Sequence, residues 1–204
     1  MVLNLPNSLT LFRIVAIPLV ALFFYLPVEW ARPAAAILFA LAGVTDWLDG
    51  YLARRLGQTS PFGAFLDPVA DKLMVTTALV ILVQSDPELV LTVMAAIIIG
   101  REITVSALRE WMSELGARAH VAVSFFGKWK TTMQMIGICC MLYEHRLFDL
   151  PTYEIGVGLL IAAAGITLWS MFDYLQAAWP LLMGGSVADP DGRPDSAGDN
   201  DTAS

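Results

Sequence analysis

The sequence predicts an all-α, polytopic membrane protein with six transmembrane helices, and three observations lead to this prediction. Hydrophobic residues make up 57% of the 204 residues, whereas a soluble domain is usually about 45–50% apolar. These residues are gathered in six long stretches, and a helix needs about 20 mostly apolar residues to cross a bilayer. The breaks between the stretches are short, and no linker is long enough to separate two domains, which favours one compact domain over residues 1–183.

The first two predicted helices cover residues 9–26 and 33–54. The opening LNLPNSLT contains an Asn, Ser and Thr cluster, and we expect it to lie along the membrane surface as a short interfacial helix. The break LPVEWARP separates the two helices. The second helix ends at Arg54, and the following Arg55 is expected to be an interfacial anchor.

The third and fourth predicted helices cover residues 61–84 and 89–110. Ser60 and Pro61 form a typical helix start, with Ser as the N-cap and Pro at the first helical position. Pro68 removes one backbone hydrogen bond inside the third helix and can bend it. Because the break before Pro61 is only about six residues long, the second and third helices are expected to be antiparallel neighbours.

The fifth and sixth predicted helices cover residues 130–143 and 153–179. They follow the breaks SELGARAHVAVSFFG and EHRLFDLP. Cys139 and Cys140 are adjacent within the fifth helix, so we interpret them as small core residues rather than as a disulfide or a zinc site. Residues 184–204 contain five Asp and one Arg among Gly, Ser and Pro, and are predicted to form a disordered acidic tail.

Basic residues predict the orientation of the bundle. One set of helix ends carries Arg54, Arg55, Arg109, Arg118, Lys128 and Lys130. The opposite set carries only Arg32 and Arg146. The excess of positive charge places the first set, together with both termini, in the cytoplasm. The net charge of −7 arises mostly in the tail, and no basic patch supports nucleic-acid binding.

The stretch DWLDGYLARRLGQTSPFGAFLDPVADK, residues 46–72, carries four aspartates in an otherwise apolar chain. Helical spacing places four of its residues on one face of the second helix: Asp46, Asp49, Gly50 and Ala53. A matching face of the third helix carries Gly63, Asp67 and Asp71. We therefore expect all four carboxylates to converge on one cleft at the cytoplasmic side of the membrane.

Converging carboxylates repel one another and need a compensating cation. Oxygen ligands favour a hard cation such as Mg²⁺, Mn²⁺ or Ca²⁺, and no His or Cys lies in the stretch to favour zinc. Two metals held by shared carboxylates are a common device of phosphoryl transfer. Two other interpretations stay open: an ion site in a cation transporter, and small residues that serve helix packing, which is preferred for Gly43 and Gly57.

The spacing of these residues resembles the signature of the CDP-alcohol phosphotransferase family, Asp-x2-Asp-Gly-x2-Ala-Arg-x8-Gly-x3-Asp-x3-Asp, at all eight positions. The resemblance implies that family's six-helix fold, a homodimer, and a location in the bacterial inner membrane. It also implies the chemistry, in which an acceptor hydroxyl displaces CMP from a CDP-linked lipid.

The same resemblance implies roles for the motif residues. Two Mg²⁺ or Mn²⁺ ions would be held by Asp46, Asp49, Asp67 and Asp71. Asp71 would also be the catalytic base that takes the hydroxyl proton. The CDP-diacylglycerol site would be lined by Gly50, Ala53, Arg54, Ser60 and Gly63.

Three further stretches resemble the bacterial members that transfer a phosphatidyl group to sn-glycerol 3-phosphate: NLPNSLTLFRIVAIP, REITVSALRE and GKWKTTMQM. Because a dianionic phosphate favours a cationic, polar pocket, the acceptor phosphate is expected at Arg101, Arg109, Lys130, Thr131 and Gln134. The alternative is that Arg101 pairs with a motif carboxylate, while Arg109 and Lys130 extend to the headgroups. Adjacent Glu102 is not expected to neutralise Arg101, because sequence neighbours do not face each other on a helix. Serine, inositol phosphate and phosphatidylglycerol remain alternative acceptors.

Overall fold

A computed structural model describes residues 5–56, 61–114, 125–145 and 149–182 of the chain. These residues form six α-helices in chain order: α1 (Leu5–Tyr25), α2 (Ala31–Leu56), α3 (Pro61–Ser85), α4 (Leu89–Glu114), α5 (Phe125–Tyr143) and α6 (Thr152–Leu182). The all-α class and the number of helices are therefore as predicted. The helices α3 and α4 begin at the predicted residues, whereas α5 begins five residues before the predicted start. The predicted acidic tail lies outside the described residues.

The N-terminal segment does not form a separate interfacial helix in the part of the chain that the structure describes. From Leu5 onward it is continuous with α1, which runs to Tyr25 without a break. Pro6 falls in the first turn, where its missing N–H would have no helical partner in any case. The polar cluster around Ser8 is therefore the first part of a long helix.

Three of the described helices are long and apolar enough to cross a membrane, and the qualifying segments are Ser8–Tyr25, Leu89–Leu108 and Thr152–Phe172. Over their described residues, the other helices, α2, α3 and α5, do not meet these requirements of length and apolar composition. Large apolar side chains also cover the outside of the bundle, as shown by Leu89 and Trp169, which are 77% and 75% exposed. An apolar exterior of this kind indicates a membrane protein.

The core lies where the helices meet, and α5 with α6 and α1 with α2 form the two most extensive helix pairs. Its largest fully buried apolar side chains are Phe39, Leu79, Leu82, Ile98, Ile138, Met141, Leu142 and Leu160. The short break between α2 and α3 predicted that these two helices are antiparallel neighbours. Among the described residues they make only a few contacts with each other. Instead α1 packs on both of them and joins them.

At one end of the bundle, polar contacts connect the ends of several helices. Arg32 pairs with Glu144, and its guanidinium lies 3.8 Å from the centre of the Phe24 ring. Tyr153 at the start of α6 donates a hydrogen bond to Asp86, just after the end of α3. These contacts tie together the end opposite to the aspartate motif.

Helices α5 and α6 approach closely at two glycines. A Cβ atom on Gly156 would lie 2.7 Å from the carbonyl oxygen of Gly137 and 2.6 Å from Cγ of Met141. A Cβ atom on Gly137 would lie 3.0 Å from the carbonyl oxygen of Gly156. Small residues therefore allow the two backbones to touch, as is common between membrane helices. Gly43, which the sequence suggested as a packing residue, faces the flexible end of Met135 on α5 instead of a backbone.

We expect Gly156→Ala to lower the melting temperature of the purified protein by a few degrees, because overpacking a close contact typically costs about 1–3 kcal/mol. Gly158→Ala is the matched control on the same helix, since no described atom lies within 4 Å of the added Cβ there. The control should melt at or above the wild-type temperature, because Ala favours helix more than Gly does. Equal melting of the two variants would show that the α5–α6 contact is looser than the geometry indicates.

Candidate active site

Two of the four motif aspartates meet on one arginine. Asp46 on α2 forms an ion pair with the guanidinium of Arg13 on α1. Nη2 of the same arginine lies 3.5 Å from Oδ1 of Asp67 on α3. Thr10, one turn before Arg13, donates its hydroxyl to that Oδ1 at 2.6 Å. The structure thus brings together Asp46 and Asp67 as the sequence predicted, but it does so through α1.

Arg13 is the residue of the candidate site that the sequence reasoning missed. Its side chain is 0% exposed, although the helix around it is apolar enough to cross a membrane. A charged residue in such a helix needs a partner and commonly marks a functional site. The single arginine in TLFRIVAIP, with Thr10 on the same helical face, was the signal available in the sequence.

A cavity of about 690 Å³ opens between α2, α3, α4 and α5. Its polar lining includes Asp46, Asp71, Lys72, Glu102, Thr131 and Gln134. The cavity is of the size that holds small ligands in proteins, about 300–1,000 Å³. The predicted base Asp71 and the predicted metal ligand Asp46 therefore share one space with two of the predicted acceptor residues, Thr131 and Gln134.

Arg101 is buried on α4, and its partner is Glu102. Nη1 of Arg101 donates to Oε2 of Glu102 at 2.7 Å, so the expectation that these neighbours do not pair is wrong. The spacing rule for helix faces describes the direction in which each Cβ atom points. Arg and Glu have long, flexible side chains, so their charged ends can meet even when their Cβ atoms point in different directions. Among the described residues, Glu102 lines the cavity, whereas its partner Arg101 does not.

Lys130 is also buried, at 6% exposure, and donates to the hydroxyl of Ser170 on α6 at 3.3 Å. Its ammonium group is buried against α6 and does not reach the outside of the bundle, which contradicts the alternative interpretation of this residue as a headgroup anchor. Buried cations at Arg101 and Lys130 place positive charge in the middle of α4 and in the first half of α5. The side chain of Arg109 lies outside the described residues.

Several predicted site residues have no described side chain: Asp49, Gly50, Ala53, Arg54 and Ser60. Gly63 is buried on α3. Among the described side chains no group of three His, Cys, Asp or Glu residues is placed so as to hold a metal ion. The oxygen donors at Asp46, Asp67 and Asp71 are of the type that Mg²⁺ and Mn²⁺ prefer, so the donor chemistry fits such ions.

A family model for CDP-alcohol phosphatidyltransferases matches residues 3–173 of the chain. The chain belongs to this family. The match includes the four motif aspartates, Arg13 and the polar residues of α5, so it covers every described part of the site. The resemblance inferred from the motif is thereby confirmed, and the cation-transporter interpretation is set aside.

Curated relatives are similar to the chain over most of its length. A protein of Pseudomonas fluorescens is 54% identical over 181 residues, which are 88% of this chain and 92% of the relative. A protein of Sodalis glossinidius is 54% identical over 178 residues, or 87% and 96% of the two chains. A protein of Escherichia coli K12 is 51% identical over 175 residues, or 86% and 94%. All three carry the name CDP-diacylglycerol–glycerol-3-phosphate 3-phosphatidyltransferase.

Proposed function

We propose that this protein transfers a phosphatidyl group from CDP-diacylglycerol to sn-glycerol 3-phosphate, giving phosphatidylglycerophosphate and CMP. The observation that carries the proposal is the shared name of relatives that are 51–54% identical over 86–88% of the chain. It is supported by the cavity, in which motif carboxylates face polar residues of α5. Serine, inositol phosphate and phosphatidylglycerol are the alternative acceptors of sibling enzymes.

The catalytic centre is built from the motif carboxylates. Two Mg²⁺ or Mn²⁺ ions would be held by Asp46, Asp49, Asp67 and Asp71. Bound there, such ions neutralise the pyrophosphate and stabilise the charge on the departing CMP. Asp71 would accept the proton of the acceptor hydroxyl, a role supported by its position in the cavity lining, one turn from Asp67.

The two substrates are assigned to different parts of the cleft. The CDP-diacylglycerol site comprises Gly50, Ala53, Arg54, Ser60 and Gly63. The acceptor phosphate is assigned to Arg101, Arg109, Lys130, Thr131 and Gln134. Because Glu102 pairs with Arg101 and lines the cavity, the phosphate would replace Glu102 as the partner of Arg101. Such an exchange of one anion for another keeps the buried guanidinium compensated.

The membrane arrangement completes the proposal. All six helices cross the inner membrane of a bacterium, the active site and both termini face the cytoplasm, and residues 184–204 stay outside the catalytic domain at 1–183. Three apolar helices and the distribution of Lys and Arg support this arrangement. The protein acts as a homodimer surrounded by membrane lipid, as the family resemblance implies.

One assay tests the acceptor. Purified protein is mixed with CDP-diacylglycerol, Mg²⁺ or Mn²⁺ and one acceptor at a time, and the release of CMP is measured. We expect release with sn-glycerol 3-phosphate and its loss when a chelator removes the metal. Release that requires serine, inositol phosphate or phosphatidylglycerol would assign the protein to a sibling enzyme, and release that survives chelation would refute the metal centre.

Asp71→Asn should lose most of its turnover but bind CDP-diacylglycerol better than Asp67→Asn does. The reason is that Asn cannot accept the proton, whereas the other carboxylates still hold the nucleotide through the metals. Turnover is measured as CMP release, and binding as retention of labelled CDP-diacylglycerol by the purified variants. If both variants lost binding equally, Asp71 would have to be chiefly a metal ligand.

A further inference from the structure

Arg13 is a buried charge at the junction of three helices. It lies within the apolar segment Ser8–Tyr25 and is 0% exposed. Its guanidinium contacts Asp46, which lies 33 residues away on α2, and Asp67, which lies 54 residues away on α3. A buried charge of this kind is stable only when it is paired, and removing one partner commonly destabilises a protein strongly. The packing of α1, α2 and α3 at this junction therefore depends on the ion pairs between Arg13 and the two carboxylates.

The carboxylates face Arg13 on one side and open space on the other. The side chains of Asp46 and Asp67 are 43% and 40% exposed, although the arginine between them is fully buried. The bonds described from Arg13 and Thr10 end on Oδ1 atoms. A carboxylate has two oxygens and about four acceptor positions. Each aspartate can thus keep its bond to Arg13 while its remaining positions bind a cation from the open side.

The negative charges of Asp46 and Asp67 explain why a cation is needed on the buried side of these two carboxylates. Two carboxylates that share one guanidinium repel each other, and more aspartates of the motif lie nearby in the sequence. When no metal is bound, Arg13 is, among the described side chains, the positive charge in direct contact with both of them. When metals are bound, their positive charge offsets the repulsion between the carboxylates. The arginine then contributes less to balancing the negative charge.

We propose that Arg13 is a positioning residue and the built-in counter-ion of the metal-free centre. It holds Asp46 and Asp67 in place and keeps α1, α2 and α3 together before a metal binds. This inference rests on the proposed role of Asp46 and Asp67 as metal ligands. A merely structural ion pair would stabilise the fold equally with and without metal, so the dependence of stability on metal distinguishes the two roles.

The test compares melting temperatures of the purified full-length protein in detergent, with chelator and with Mn²⁺ or Mg²⁺. Arg13→Met keeps the length of the side chain but removes its charge. We expect this variant to melt roughly 10 °C below the wild type in chelator. Added metal should raise its melting temperature by more than it raises that of the wild type, because the metal alone then offsets the repulsion. Arg13→Lys should recover part of the loss, since it keeps the charge without the two-pronged geometry.

Arg32→Met is the matched control. Arg32 also pairs with a carboxylate, that of Glu144, but at the opposite end of the bundle. Its loss should lower the melting temperature equally in chelator and in metal. If Arg13→Met showed no larger metal-induced shift than Arg32→Met, Arg13 would be a structural ion pair and the proposal would be wrong.

A second variant keeps the proposal testable if Arg13→Met does not fold. In Arg13→Met/Asp46→Asn one of the two repelling carboxylates is neutralised together with the arginine. This double variant should be recovered in folded form more readily than Arg13→Met, and failure to do so would overturn the proposal. The acceptor and metal requirements of the reaction are measured on the wild type, so the proposed function and the role of Arg13 can fail independently.

Discussion

Asp67→Asn is expected to abolish CMP release while the protein remains folded in the membrane, because Asp46 still pairs with the buried Arg13. Asn has the size of Asp but no charge, and its amide nitrogen cannot ligate a hard cation. Losing one electrostatic stabiliser of a transition state commonly costs about 10²–10³ in rate, and a shared metal ligand should cost at least as much. Asp67 also accepts the hydroxyl of Thr10 at 2.6 Å, so its position is held from α1 as well.

The measurement is CMP release at saturating CDP-diacylglycerol and sn-glycerol 3-phosphate, over a range of Mn²⁺ concentrations. Asp46→Asn and Asp49→Asn should behave in the same way. Asp86→Asn provides the control, because this aspartate accepts a hydrogen bond from Tyr153 at the far end of the bundle. That control should retain activity. A robustly active Asp67→Asn protein would refute the two-metal proposal.

Arg101→Ala is expected to lower activity on sn-glycerol 3-phosphate at a fixed acceptor concentration by on the order of tenfold or more. Arg101 is 8% exposed, and a partly desolvated phosphate that loses a charged partner should lose about 2–5 kcal/mol of binding. Most of the activity should return when the acceptor concentration is raised, provided that only binding was lost. The dependence on CDP-diacylglycerol should change little.

Glu102 makes a double variant necessary. With Arg101 removed, Glu102 loses its ion-pair partner at the cavity that Asp71 also lines, and its negative charge would repel a phosphate. Arg101→Ala/Glu102→Ala removes that repulsion. If the double variant regained wild-type use of the acceptor, the defect of Arg101→Ala would come from the exposed carboxylate. If Arg101→Ala raised only the requirement for CDP-diacylglycerol, Arg101 would belong to the nucleotide site.

Local sequence patterns were sufficient for the helices and for the family. An apolar stretch becomes a helix in a membrane because every backbone polar group must be bonded within the segment. Helix starts such as Pro61 depend on a few neighbouring residues, so they too are found without a tertiary structure. The motif shows which carboxylates share a helix face, because the spacing of three and four residues decides that locally.

The sequence by itself determined the all-α class, the six helices, and the family through eight motif positions. Only the tertiary structure decided what compensates the carboxylates and which residues face the cavity. Arg13 reaches Asp46 and Asp67 across 33 and 54 residues, and no local periodicity describes a contact between three helices. The pairing of Arg101 with Glu102 likewise depends on side-chain rotamers inside the packed bundle. Electrostatic compensation is a property of the assembled bundle, because it depends on distances between helices and on burial, which the chain acquires only when it folds.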